Sequence, residues 1–195
     1  MGSKSDSAKA TGMRGKAVRL RALTSADQET LRSFINDPEV LQNSNVYRPI
    51  SDLQQEAWWK SVMANDSAVW FGIEAESTLV GTCCLVDIEW VGRVAELRIR
   101  IGDKQAWGKS LGSEACALLV EFGFRHLNLE RIWLRVFAPN AAALRLYTKL
   151  GFVVEGRLRR AWHLQGVTDD VIVMGLLREE WRPQAEAPKQ QKQRR

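Results

Sequence analysis

Two hydrophobic periods meet in the middle of the chain. Along Glu96–Ile101 charged and apolar residues alternate one by one, the pattern of a half-buried strand. From Leu111 onward Leu111, Ala115, Leu118, Leu119 and Phe122 fall on one face of a helix. Between them, Gly102-Asp103-Lys104 breaks the strand, and Trp107-Gly108-Lys109-Ser110-Leu111-Gly112 feeds the helix start. A helix N-terminus leaves about four backbone N–H groups without intrahelical acceptors, and the macrodipole makes that end partly positive. The glycines allow a ligand close to the backbone, so the loop is a candidate site for a phosphate or pyrophosphate. A plain turn into a helix accounts for the same residues. The loop is not a P-loop, because Asp103 stands where the first glycine belongs, and Gly-x-Gly-x-x-Gly does not occur here.

The same two periods organise the rest. Ala17–Ala22 reads as a strand, with Val18, Leu20 and Ala22 on one face. Thr24 or Ser25 caps a helix through Asn36 that turns Leu31, Phe34 and Ile35 inward and ends at Asp37-Pro38. After an irregular polar stretch, a second helix starts at Ser51, with Leu53, Trp58 and Val62 as its apolar side. Ala68–Ala75 and Leu79–Trp90 read as strands joined at Glu76-Ser77, and Val91-Gly92-Arg93 turns into the Glu96 strand. Beyond the central helix, Arg131–Phe137 is a strand, and Ala141–Leu150 a short helix closed by Gly151. A strand follows at Phe152–Val154, with a turn at Gly156. The last hairpin pairs Ala161–Leu164 with Val171–Leu176 around Gln165-Gly166. Hairpin-linked strands imply antiparallel pairing, and the β–loop–α–β unit around Trp107 implies one parallel pair. The expectation is a mixed α/β sheet.

Composition narrows the function classes. With 195 residues, 45% of them apolar, the chain can bury one substantial core, placed at residues 16–182 with disordered basic tails at 1–15 and 183–195. The net charge of +5 invites a nucleic-acid partner, yet much of the positive charge sits in those tails, which limits the expectation to weak tail-borne affinity for RNA or ribosomes. No apolar run reaches the roughly 18–20 residues of a membrane span. The N-terminus lacks a signal-peptide core, and Asp6 occupies the position where a myristoylation signal carries Ser or Thr. A cytoplasmic protein without a membrane partner is expected. Cys83, Cys84 and Cys116 show neither disulfide nor metal-ligand spacing and read as buried small hydrophobes. With only two histidines, no metal site is expected.

Taken together, Trp107–Gly112 after a strand, then Asn140-x6-Tyr147 and Leu150-Gly151-Phe152, resemble the GNAT superfamily of acetyl-CoA-dependent N-acetyltransferases. Asn36-Asp37-Pro38-Glu39-Val40 early and Glu155-Gly156-Arg157-Leu158-Arg159 late are most similar to its RimJ/RimL and spermidine-acetyltransferase branch. The resemblance covers Ala17 to Trp181. It implies a GNAT fold, a mixed, mostly antiparallel twisted sheet of about six to seven strands with about four helices. It also implies acetyl-CoA as cosubstrate and direct attack by the acceptor amine in a ternary complex.

By that resemblance Trp107, Gly108, Lys109, Ser110, Leu111 and Gly112 form the pyrophosphate loop. Two positions depart from the family pattern: Trp107 replaces Arg/Gln, and Ser110 replaces a glycine. Ser110 matters if its backbone must take a positive φ, where glycine alone is cheap; its hydroxyl could instead cap the helix or bond a phosphate oxygen. Ile99, Arg100 and Ile101 match the strand edge that pairs with the pantetheine arm, and Asn140 matches a cofactor contact that is also a plain helix cap. Tyr147 matches the tyrosine that protonates the departing thiolate, and a core tyrosine is the alternative. Glu96 is the candidate base for the acceptor, with a water path as the other route. Orientation of the reactants and backbone N–H groups for the oxyanion complete the expected machinery.

The acceptor is expected between two segments, with Asn43, Asn45, Tyr47 and Arg48 on one and Trp162, His163, Asp169 and Asp170 on the other. The first carries no acidic cluster to hold a polycation, which favours the primary amine of a small polar metabolite or a peptide or protein N-terminus over spermidine. A catalytically impaired GNAT-fold binding module, or a ribosome- or RNA-associated RimJ/RimL-like protein acetyltransferase, is the alternative reading. The eight tryptophans are mostly core and leave room for a homodimer interface.

Overall fold

The computed structural model describes residues 12–41 and 48–183. Its strands are β1 (Met13–Arg14), β2 (Arg19–Arg21), β3 (Val69–Ala75), β4 (Thr78–Glu89), β5 (Val94–Ile101), β6 (Arg131–Phe137), β7 (Val153–Leu164) and β8 (Val167–Leu177). The helices are α1 (Gln28–Asn36), α2 (Pro38–Leu41), α3 (Asp52–Met63), α4 (Leu111–Arg125) and α5 (Ala141–Lys149). The strands form one sheet in the order β1-β2-β3-β4-β5-β6-β8-β7. Every pairing is antiparallel except β5 with β6, the two strands bridged by α4.

Register sorts the two faces. Thr82 pairs with Arg100 and Cys84 with Arg98, while Cys83 pairs with Ile99 and Leu85 with Leu97. Directly paired residues share a face, so the first set looks toward α1 and α3 and the second toward α4. Gly123 brings α4 close on that side; a Cβ there would lie 2.8 Å from Ile132 Cδ1 and 3.1 Å from Leu85 Cδ1. Leu85, Leu97, Leu119, Phe124, Ile132 and Leu134 form the fully buried centre of this layer. The three cysteines are buried and free; burial pushes Cys84 and Cys116 up to about 12, so they behave as hydrophobes.

Local signals hold the ends in place. Thr24 and Asp27 form a capping box, and Arg21 grips the Asp27 carboxylate at 2.8 Å. Ser51 caps α3, accepting from the Gln54 N–H. Gly151 takes φ +96° just past α5, as its position after the helix predicts. Both two-residue hairpin turns carry positive φ throughout, at Glu76 and Ser77 and at Gln165 and Gly166, the geometry that matches strand twist.

The mixed, mostly antiparallel sheet is as expected, and among the described residues it has eight strands with five helices, close to the six to seven and about four expected; finer expectations are corrected. The additions are short: Pro38 does not only end α1 but opens α2, where its missing N–H costs nothing. β1 lies within the stretch assigned to the N-terminal tail, with Met13 paired to Leu20. Gly156 is not a turn. β7 runs unbroken for 12 residues with register shifts at Val154/Gly156 and Leu158/Trp162. Leu53 is 77% exposed, and the inward side of α3 carries Gln55 instead. No helix among the described residues is long and apolar enough to cross a membrane.

Candidate active site

The parallel pair β5–β6 is short. It joins Val94, Ala95 and Glu96 to Arg131, Ile132 and Trp133, after which β5 continues to Ile101 beside β4 and β6 to Phe137 beside β8. The strands part beyond Glu96, leaving the Leu97–Ile101 edge without a strand partner on the fork side. A cleft of about 950 Å³ opens there, walled by both strands, the Trp107–Gly112 loop, the start of α4 and one side of α5. An open strand edge offers N–H and C=O groups to any extended amide-bearing ligand. Among the sequence candidates, Ile99, Arg100 and Ile101 all line this cleft.

The loop supplies the second feature. Trp107 N–H bonds to Lys104 O, and Ser113 and Glu114 N–H both reach Ser110 O. The backbone N–H groups of Gly108 through Gly112 have no acceptor among the described residues. Gly108 at φ +75° and Ser110 at φ +60°, ψ +8° both take the left-handed conformation. Consecutive N–H groups in that geometry, opening a 15-residue helix, form an anion cradle. Ser110 thus holds the backbone that glycine would adopt more cheaply, and its hydroxyl makes no cap bond. Trp107 has a separate function: its Nε1–H donates to Ile101 O at 2.9 Å, tying the loop to the end of β5. Lys109 is exposed and, unlike Gly108, Ser110, Leu111 and Gly112, does not line the cleft.

From α5, Asn140 and Tyr147 reach the same cleft. Asn140 caps the helix, its Oδ1 accepting from Ala143 N–H at 3.0 Å. Tyr147 is buried, packs edge-on against Phe152 at 5.8 Å, and its hydroxyl has no hydrogen-bond partner among the described residues. Burial, with the nearby Cys116, raises the phenol far above its ordinary value, so it keeps its proton at every physiological pH. Arg145 and Lys149, one turn apart on α5, also line the cleft. They were not among the sequence candidates, although their i,i+4 spacing on the helix bearing Tyr147 was readable.

Glu96 sits at the apex of the fork, 2% exposed. Both of its oxygens are engaged: Arg98 donates to Oε2 through Nε at 3.0 Å and through Nη2, and Arg135 donates to Oε1 at 3.0 Å. Desolvation alone would raise this carboxyl, but the two guanidiniums outweigh it and hold it below its usual value. A carboxylate so held is a weak proton acceptor, which argues against the general-base role expected from the sequence.

Residues 17–153 match the acetyltransferase (GNAT) domain family. The chain belongs to the GNAT acetyltransferase family. It is 33% identical over 171 residues to the uncharacterized N-acetyltransferase p20 of Bacillus licheniformis, covering 84% of this chain and 94% of that one. With the spermidine N(1)-acetyltransferase of Escherichia coli K12 it shares 28% identity over 179 residues, 89% and 93% of the two chains. The crystal structure of a Vibrio cholerae spermidine N-acetyltransferase in complex with CoA and spermine superposes with a TM-score of 0.78 at 26% identity, over 84% and 97% of the chains. As a GNAT enzyme this chain is an acetyl-CoA-dependent N-acetyltransferase that acts on an amine. Among its described residues no His/Cys/Asp/Glu cluster is placed to hold a metal.

A second cavity, about 300 Å³, lies under α1 and α3 on the other side of β5, and the GNAT cleft shares Arg98, Ile99 and Arg100 with it. Of the acceptor residues expected from sequence, Asn43, Asn45 and Tyr47 fall outside the described residues, and the exposed Arg48 lines neither space. Trp162 packs on Phe137 at 5.2 Å and so stands behind the cleft wall. His163 is exposed, its Nδ1 2.7 Å from Thr168 Oγ1 across the hairpin. Asp170 is tied to Arg157 and to the Arg160 N–H. The cavity is built instead by Phe34 and Trp58, which the helical pattern turns inward, with Trp70 of β3 and Gln55, which no apolar pattern marks.

Proposed function

We propose that the fork binds acetyl-CoA, that the acceptor amine arrives through the α1/α3 cavity, and that the two meet across Arg98–Arg100. The observation that carries this reading is the convergence of the open β5 edge, the N–H groups of Gly108–Gly112 and the Tyr147 hydroxyl in one cleft. The cradle holds the pyrophosphate, the β5 edge takes the pantetheine amides, and Arg145 and Lys149 add positive charge along the wall. Acetyl-CoA supplies an activated acyl thioester. In the transfer the nitrogen of the neutral amine bonds to the acetyl carbon, the C–S bond breaks, the sulfur takes a proton from the Tyr147 hydroxyl, and the proton then shed by the nitrogen returns through water to the Tyr147 oxygen.

The acceptor must lose a proton to attack. Glu96, paired on both oxygens, keeps Arg98 and Arg135 in place at the apex of the fork, and the amine proton leaves through water in the open cleft. The acceptor is the primary amine of a small metabolite or of a peptide N-terminus. The spermidine acetyltransferases among the relatives suggest a polyamine, but no carboxylate stands among the described residues that line the cavity.

Calorimetric titration with acetyl-CoA and CoA, followed by an amine panel read by thiol release, tests this reading. Micromolar binding that weakens when Gly112 is replaced by a bulky residue is expected. No binding at millimolar cofactor would overturn it.

A further inference from the structure

Helix α3 carries an anomaly. Its inward face runs Gln55, Trp58, Val62, and at the most buried position stands an amide where an apolar residue would pack more stably. Gln55 is 7% exposed, and its Nε2 is fully buried with no hydrogen-bond partner among the described residues. Buried polar atoms are nearly always paired, and an exception calls for a partner such as a water or a bound ligand. Gln55 faces the 300 Å³ cavity, a volume at the lower end for small-ligand pockets.

The remaining lining defines the occupant. Leu31, Phe34, Ile50 and the edge-on pair Trp58–Trp70, with centroids 5.3 Å apart, make an apolar, largely aromatic wall. Among the described residues the ionisable side chains lining the cavity are Cys84 and two arginines, Arg98 and Arg100, which it shares with the cleft. Burial lowers the pKa of Arg100, the sign of a guanidinium in a poorly solvated place. A polycation would meet the Arg100 guanidinium here, with Arg98 paired to Glu96 and Asp87, and no carboxylate among the described lining residues. A ligand oxygen would meet donors on both walls.

We propose that this cavity receives the α-amine of an apolar or aromatic α-amino acyl group, its side chain against Trp58 and Trp70 and its carbonyl or carboxylate oxygen accepting from Gln55 Nε2. The proposal rests on the fork being the acetyl-CoA site. In an α-amino acyl group two carbons, Cα and the carbonyl carbon, separate the amine from that oxygen, so an oxygen held between Gln55 and Arg100 brings the amine to the Arg98–Arg100 wall, beside the cleft. A free amino acid and a peptide N-terminus share this chemistry, and the choice of acceptors separates them.

The test measures acetyl-CoA-dependent thiol release by the full chain with L-phenylalanine, Phe-Gly-Gly, phenethylamine, glycine and spermidine. L-phenylalaninamide is titrated calorimetrically without any cofactor. Phenylalanine or the Phe peptide should exceed phenethylamine, glycine and spermidine at least about ten-fold in kcat/KM. Gln55→Leu should cut that preference and the amide's affinity about ten-fold, with Tm at or above that of the wild type because an unpaired buried amide is removed. Phenethylamine equal to phenylalanine, spermidine preferred, or Gln55→Leu without effect on a folded protein would overturn the proposal. Acetylation of spermidine alone would leave the fork reading standing. Phenylalaninamide binding that depends on Gln55, without acetyl-CoA binding, would keep the cavity and discard the fork.

Discussion

Ser110→Gly separates backbone from side chain in the anion cradle. Ser110 holds φ +60°, ψ +8°, a left-handed conformation that costs a non-glycine residue about 1–2 kcal/mol. Glycine removes that strain but gives back about 0.5–1 kcal/mol through the freer unfolded chain. The net gain is about 0–1.5 kcal/mol, a Tm rise of up to about 5 °C for a chain of this size. Ser110→Val places a β-branched residue in the same backbone and should lower Tm by about 4 °C or more. The hydroxyl makes no cap bond, and the loop N–H groups have no acceptor among the described residues, so the CoA dissociation constant of Ser110→Gly should stay within about threefold of wild type. Thermal unfolding with calorimetric CoA titration reads both quantities. A lower Tm for the glycine variant, or a ten-fold loss of affinity, would refute the backbone account and give the Ser110 side chain a direct role.

Glu96→Gln should destabilise the fold by about 1–3 kcal/mol, less than a fully buried pair would lose because Arg98 and Arg135 are about half exposed. Since the folded carboxyl lies below its unfolded value, its contribution is complete above about pH 4.3 and fades as pH falls through the depressed folded value. Acid unfolding followed by circular dichroism should therefore show a flatter acid limb in Glu96→Gln, and the pH dependence of kcat/KM above pH 6 should keep its shape if Glu96 is not the base. Arg145→Ala and Lys149→Ala, both on the exposed side of α5, should each weaken CoA binding a few-fold at low salt. That difference should shrink toward 1 M salt, as calorimetry at two ionic strengths would read.

Features written in neighbouring residues were legible; those written by distant pairing were not. The Trp107–Gly112 loop, the Asn140 cap and the Gly151 stop are local, and the strand–loop–helix order around them gave the parallel unit directly. The fork was not readable, because alternation along β5 and β6 is the same whether the strands pair for three residues or seven; only the register ends the pairing at Glu96–Trp133. The state of Glu96 depends on Arg135, 39 residues away, so its candidacy as a base rested on position alone. In α3 the hydrophobic count chose Leu53, since a periodicity built from apolar residues passes over a buried amide. Gly156 misled in the opposite way: a glycine between apolar residues signals a bulge as readily as a turn, and a 12-residue strand with two register shifts resembles two short ones.

The most direct test of the central claim compares Tyr147→Phe with wild type in CoA affinity and in kcat for an amine acceptor. The substitution removes one hydroxyl and preserves the ring packed on Phe152. If Tyr147 supplies the proton to the departing sulfur, kcat falls by about 100-fold or more, while CoA affinity and Tm stay close to wild type. An unchanged kcat would contradict the account and leave Tyr147 as a core residue of α5.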